Sequence, residues 1–435
     1  MKKKKWTVMV YLAGDNNLDD AGVADLTEMK TVGTTAHINI VAQFDRQAAG
    51  TQTRRYLLTK DQALEKDAVE NLGETNTGDP AVLIDFAQWA IKNYPAQRYL
   101  LVIWNHGNGW DDEDIYHAAR NDLGLNVVRR GENIGDGTQG KSVSIRRVRV
   151  VGGPKFHRAL FRSTITGALK TRAIAYDDNA EDFLDNVELQ KVLAAVRKKI
   201  KRKLDLLGMD ACLMSMAEIG YQLRDHVALT VGSEETEPGD GWPYNTILRD
   251  LAKKPQMSAR DLSSLIVRRY IESYDAKSNV TQAACDLAKS ETLGKAIDRL
   301  ALSLKAQLTA PDVRTAILTA RSQVQNYDKP EYVDLYDLCA LLTTNCRSNK
   351  IRNACAKVQQ AITKGGYVVA NGSRGSGVAN SHGVSIYFPD RPTSISAPIS
   401  PLYANLDFAK QLAWAGFLSA WLDSLKRSAR RQQIR

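Results

Sequence analysis

No stretch of this 435-residue chain approaches the roughly 18 uninterrupted apolar residues that a membrane-spanning helix requires, so no span is expected. Cysteine is scarce, with five residues in all. The number is odd and no pair is spaced C-x2-C, which argues against a zinc knuckle or a dithiol redox motif. Cys285, Cys339, Cys346 and Cys355 fall in the C-terminal third, in segments of helical pattern. They read as buried core thiols in a reducing compartment; Cys212 stands apart by position. Acid is missing from one long stretch: residues 140–172 hold nine Lys or Arg and no Asp or Glu. The net charge of the chain is +10, and without that stretch it is +1. The basicity is therefore local. The stretch carries only two aromatics, Phe156 and Phe161, too few for a stacking platform for bases, and nucleic acid is not an expected partner. The N-terminus, "MKKKKWTVMVYLAGDNN", superficially resembles an export signal. Its apolar run covers only Trp6 to Ala13 and has no small-x-small cleavage site, so it reads as a first buried strand. A cytoplasmic location is expected, with secretion as the alternative.

What is present is an alternation of strands and helices. Trp6–Ala13, His37–Phe44, Tyr99–Trp104, Leu204–Met209 and Val227–Val231 have strand patterns. Helices are expected over Asn17–Lys30, from Asp79-Pro80 to Pro95, over Val187–Lys203 and over Leu213–Leu223. Near-continuous apolar strands alternating with helices predict an α/β fold with a parallel sheet covered on both faces. Residues 111–172 are too long for an ordinary loop and read as a flexible basic insertion. After about residue 275 the pattern turns helical, with candidates at 293–308, 314–327, 332–344, 351–363 and 405–425. A short strand pair is expected from "GYVVA" and "GVSIYFP". The domain expectation is thus a catalytic domain over 1–275 and a mainly helical subdomain over 276–435.

Two of the strands end in reactive residues. His106 lies two residues past Trp104, in "LLVIWNHGNGW", and Cys212 lies three past Met209, in "LLGMDACLMSMAEI". In open parallel sheets, sites form at the carboxyl ends of strands. Neighbouring strands are about 4.8 Å apart, so such side chains can meet. A histidine and a helix N-terminus each lower a thiol's pKa and favour the thiolate. The helix expected directly after Cys212 supplies the second. The backbone N–H groups of Gly107 and Cys212 are natural oxyanion donors. A buried structural thiol with a turn histidine is the competing reading. Asp210, beside the nucleophile, would give a substrate pocket a preference for Arg or Lys. The basic insertion is then a row of potential cleavage sites in the chain itself. "GDGTQGKS", 135–142, satisfies the phosphate-loop pattern through Lys141. It lacks the preceding strand and following helix that give such a loop its amides and dipole, so an NTPase is a weak alternative. A third reading is an inactive scaffold that binds nucleic acid or anionic partners through 140–172.

Four motifs in order, "VMVYLAGDNNLD", "LLVIWNHGNGW", "LLGMDACLMSMAEI" and "GSEETEPGDGWPY", resemble the clostripain family of cysteine peptidases, grouped with caspases, gingipains and legumains. The likeness extends to "GVSIYFP". It implies a caspase-like three-layer α/β sandwich and an endopeptidase with a His–Cys dyad acting through a thioester acyl-enzyme. By motif, His106 is the base, Cys212 the nucleophile, Asp210 the acid that selects Arg or Lys at P1, and Asp240 a second acid of that pocket. Members mature by cutting themselves between histidine and cysteine. Lys170 and Arg172 are the expected sites, with seven other basic residues of 140–172 competing. Calcium matters to some relatives. No loop of regularly spaced carboxylates is present here, so no cofactor is expected to be required. The expected partners are protein or peptide substrates bearing Arg or Lys.

Overall fold

The structure, a computed structural model, describes residues 3–15, 18–47, 51–60, 62–105, 174–177, 182–390 and 401–433. The described strands are β1 (Lys4–Gly14), β2 (Ile38–Arg46), β3 (Thr53–Leu57), β4 (Ala68–Gly73), β5 (Ala96–Trp104), β6 (Ile174–Asp177) and β7 (Asp182–Leu184). They continue with β8 (Leu204–Asp210), β9 (Val227–Gly232), β10 (Val280–Asp286), β11 (Tyr332–Asp334), β12 (Val368–Arg374) and β13 (Ser385–Tyr387). Nine of them form one sheet in the order β12-β10-β9-β8-β5-β1-β2-β3-β4. The five central strands, β9 to β2 in that order, are mutually parallel. Both edges are antiparallel. The expectation of a mostly parallel sheet sandwiched by helices therefore holds.

Alternation along each central strand divides the core. Trp6, Val8, Val10 and Leu12 of β1 join Leu100, Val102 and Trp104 of β5 on one face. Met9, Tyr11 and Ala13 join Tyr99, Leu101 and Ile103 on the other. Successive side chains of a strand point to opposite faces. The first face is covered by the helices Asp19–Lys30, Tyr244–Lys253 and Ala259–Ser273. The second is covered by Pro80–Asn93, Asn186–Ile200, Ala217–Leu223 and the C-terminal helices beginning with Ser290–Gln307. Local signals set several helix starts. Asp79 caps with its side chain on the Ala81 N–H, ahead of Pro80. Asp185 and Glu188 form a reciprocal capping box, as do Ser258 and Asp261.

Two arrangements differ from the sequence reading. The central sheet runs across residue 275, because β10 and β12 extend it beyond β9. The "GYVVA" and "GVSIYFP" segments are not paired with each other: β12 adds to β10, while β13 pairs with β11. Apolar patterning marks a strand but does not name its partner. The C-terminal layer is tied down by tryptophan N–H groups. Trp414 donates to the Tyr387 carbonyl at 2.9 Å and Trp421 to that of Pro389 at 3.0 Å. Among the described residues no helix is long and apolar enough to cross a membrane.

Candidate active site

β5 and β8 lie side by side, with Trp104 in register with Asp210. Just beyond, the Asn105 N–H donates to the Asp210 carbonyl at 3.4 Å. The Asn105 side chain donates to the Ala13 carbonyl at 2.6 Å, so it also ties the end of β1 to this edge. The chain leaves β1 toward β2 on one side, while β5 lies on the other. Such a change of direction is where crevices form at the carboxyl ends of parallel strands. His106 and Gly107 follow directly and lie outside the described residues, as do Lys170, Arg172, Lys141, His117 and His157.

Cys212 lies two residues past β8 and is buried, at 1% exposure. The helix expected to start directly after it does not: the following helix is Ala217–Leu223. Residues 213–216 are instead drawn into tertiary hydrogen bonds. Leu213 takes φ +62°, a left-handed conformation uncommon for a branched side chain. Its N–H donates to the Glu235 carbonyl at 3.2 Å, and the Ser215 N–H donates to the Ser233 carbonyl at 2.8 Å. On the other side the Ser385 N–H donates to the Ser215 carbonyl at 2.9 Å. These bonds satisfy the backbone in a non-helical path, and a helix would break them. The sulfur is held by a different donor, the Glu237 N–H, at 3.3 Å from Cys212 Sγ.

Residues 233–237 thus form a strap along the cysteine segment, and the strap is itself anchored. Thr281 Oγ1 on β10 accepts from the N–H groups of Glu234 and Glu235, both at 3.0 Å. Glu235 accepts from the N–H of Asp328 at 3.1 Å. Glu234 accepts from the N–H of Gly383 at 2.8 Å. Burial, reinforced by the neighbouring Asp334 carboxylate, pushes the Glu234 carboxyl well above its usual range. These bonds join the strap to the C-terminal part of the chain.

The acids predicted for a substrate pocket diverge. Asp210 is fully buried, and its Oδ2 accepts the Tyr244 hydroxyl at 2.8 Å. Asp240 sits exposed on the turn closed by the Gly241 N–H and the Pro238 carbonyl. Glu237, three residues earlier, is fully buried. Its Oε1 accepts Gln282 Nε2 at 3.0 Å. Sequence reasoning passed over Glu237 although it lies in a quoted motif, because nothing there shows which acid faces inward. The remaining described histidines have other roles. His37 is exposed, and His226 is half-buried with its pKa lowered chiefly by burial. His382 pairs with Asp334 at 3.1 Å and stacks on Tyr336. All five cysteines are buried and none forms a disulfide. Burial pushes the Cys285 thiol up to about 12, so it stays protonated and inert.

One further acidic group gathers at the ends of β1 and β2. Oxygens of Asp15, Asp45 and Glu74 lie within 4.8 Å of one another. Asp45 Oδ1 accepts the Thr53 hydroxyl at 2.7 Å. No spacing in the sequence announces this trio, since its members come from three distant segments.

A sequence model of the clostripain family matches residues 10–121 and 162–421. Clostripain of Hathewaya histolytica is 25% identical over 416 residues, covering 82% of this chain and 68% of that protein. A secreted C11 cysteine protease from Bacteroides thetaiotaomicron, solved with an irreversible peptide inhibitor, superposes with TM-score 0.60 at 18% identity, over 95% of this chain and 99% of that one. An inactive zymogen C11 protease from Parabacteroides distasonis superposes with TM-score 0.61 at 19% identity, over the same shares. The fold is that of these proteases, and the family match spans both ends of the sheet and the cysteine segment. The chain belongs to the clostripain family of cysteine peptidases.

Proposed function

We propose that this protein is an endopeptidase that cleaves after Arg or Lys. Cys212 is the nucleophile, His106 the general base, and the N–H groups of Gly107 and Cys212 the oxyanion donors. His106 takes the thiol proton, and the sulfur attacks the scissile carbonyl. The tetrahedral intermediate collapses to a thioester as His106 returns the proton to the leaving amine. Water, deprotonated by the same imidazole, then releases the acid and restores the thiol. This chemistry asks for no metal and no cofactor.

The observation that supports the reading most is the Asn105–Asp210 backbone bond. It anchors the residue before the proposed base to the residue two before the proposed nucleophile. The Glu237 N–H on Cys212 Sγ adds a donor that favours the thiolate over the thiol. Asp210, at the end of the same strand, supplies the negative charge for a cationic P1 side chain. The basic stretch 140–172 between base and nucleophile then contains bonds of the kind the enzyme cuts, with Lys170 and Arg172 as the proposed sites of self-processing. The test is hydrolysis of a fluorogenic peptide ending in Arg, compared with one ending in Asp. The Arg peptide is expected to be cut and the Asp peptide spared, with all activity lost in Cys212→Ala. Activity that survives in Cys212→Ala rules the mechanism out.

A further inference from the structure

Beneath the carboxyl end of β8 and the amino end of the antiparallel β10, on the face that carries Trp242, lies a group of buried polar side chains that the dyad chemistry does not use. Glu237 and Asp210 are both fully buried. Gln282, on β10, gives its Nε2 to Glu237 at 3.0 Å, yet its Oε1 has no hydrogen-bond partner among the described residues. The Tyr270 hydroxyl, on the helix Ala259–Ser273, is buried and equally without a partner. Burial raises the pKa of this hydroxyl, and the neighbouring Glu237, Tyr274, Asp210 and Cys212 raise it further. The four groups therefore share one neighbourhood beside the sulfur.

An unfilled buried acceptor costs about 1–3 kcal/mol, and native proteins carry few of them without a functional reason. Two carboxylates, an amide oxygen and a phenol oxygen form a set of acceptors. A ligand that satisfies such a set is a donor-only cation, which describes a guanidinium or an ammonium.

We propose that Glu237 is a second specificity-determining carboxylate, receiving the cationic P1 side chain together with Asp210, with Gln282 Oε1 and the Tyr270 hydroxyl as its uncharged acceptors. This rests on the proposed preference for Arg or Lys and deepens it. The cluster is sealed from solvent, so the incoming side chain displaces the Tyr244 hydroxyl from Asp210. Glu237 also has a second role. Its own N–H holds Cys212 Sγ, so the residue that meets the P1 charge is covalently continuous with the donor that holds the nucleophile. A cation beside Glu237 offsets the negative charge that opposes thiolate formation, so the correct side chain helps to ionise the sulfur that attacks it.

The experiment compares a peptide reporter ending in Arg with one ending in citrulline, the neutral isostere, using the full chain. Glu237→Gln is expected to lower kcat/KM on the Arg reporter at least tenfold while changing the citrulline reporter much less. In the wild type, benzamidine is expected to shift the pH profile of Cys212 alkylation by iodoacetamide to lower pH, and in Glu237→Gln that shift is expected to shrink. Tyr270→Phe, which keeps the volume and removes only the hydroxyl, is expected to narrow the Arg-over-citrulline ratio as well and stands in should Glu237→Gln not fold. If the wild type prefers Arg but the variants lower both reporters equally, Glu237 is structural and this proposal is overturned while the Arg/Lys reading survives. If the wild type shows no preference for Arg over citrulline, the underlying reading itself falls, and this proposal with it.

Discussion

At the scale of single residues, the site is decided by which carboxylate is buried and which N–H meets the sulfur. Asp210 and Asp240 are chemically alike, yet one ends an interior strand and the other rides an exposed turn. Asp210→Asn keeps the shape and an acceptor for the Tyr244 hydroxyl and removes the charge. A hydrogen bond to a charged partner is worth about 1.5–3 kcal/mol. The expected result is a fall in kcat/KM for an Arg reporter of about 10- to 150-fold, with the unfolding midpoint little changed. An unaltered kcat/KM would remove Asp210 from the pocket. The place of Cys212 just beyond β8 was legible from the sequence because it closely follows an apolar run, a pattern that puts a residue at a strand tip; His106 lies outside the described residues. Glu237 was not, because burial is a property of the surroundings rather than of the residue.

At the scale of elements, β8 carries a glycine with a purpose. A Cβ on Gly208 would lie 2.8 Å from Trp242 Cη2 and 3.2 Å from Val102 Cγ2, so the bare backbone lets the indole lie against the strand. Trp242 is joined through Pro243 to Tyr244, the partner of Asp210. Gly208→Ala is therefore expected to cost about 1–3 kcal/mol in denaturant unfolding, and to weaken turnover of the Arg reporter by displacing the residues around Asp210. The short helix Ala217–Leu223 carries a second buried acid. Glu218 accepts the Tyr387 N–H at 3.0 Å and the Tyr403 hydroxyl at 3.1 Å. Burial raises its pKa from 4.5 to about 7 despite those bonds. The folded state thus holds this proton more tightly than the unfolded chain. The resulting stability is fully present below pH 4.5 and is lost as pH rises to about 7, a change of about 3 kcal/mol. Glu218→Gln keeps an acceptor and removes the titration. Unfolding free energies measured at pH 5 and pH 8 should therefore differ less in the variant than in the wild type.

For the whole molecule, the nine-stranded sheet unites the parts before and after residue 275, and the strap beside Cys212 is bonded to the cysteine segment and to Thr281, Asp328 and Gly383 of the C-terminal part. If the chain processes itself between His106 and Cys212, Cys212→Ala protein stays a single band on a denaturing gel, while the active protein separates into two. Splitting of the Cys212→Ala protein would assign the cut to another protease. The two products are expected to remain associated in native buffer, because β1, β2 and β5 lie on one side of the cut and β8, β9 and β10 on the other, within one hydrogen-bonded sheet.

By itself the sequence determined the local parts of this protein. Near-continuous apolar runs specified the central strands, because a strand buried on both faces must be apolar along its length. Side-chain caps such as Asp79 and the Asp185–Glu188 box set helix starts, because those bonds close within a few residues. The ordered motifs were enough to place the chain in its family. Tertiary structure decided everything that depends on residues far apart in the chain. It paired β12 with β10 and β13 with β11, a choice that equally apolar strands leave open. It kept the five residues from Cys212 to Met216 out of a helix, because hydrogen bonds to the carbonyls of Glu235 and Ser233 and from the N–H of Ser385 compete successfully for that backbone. It brought Glu237 to the sulfur and Gln282 to Glu237 across 45 positions of sequence, a proximity that no local pattern encodes.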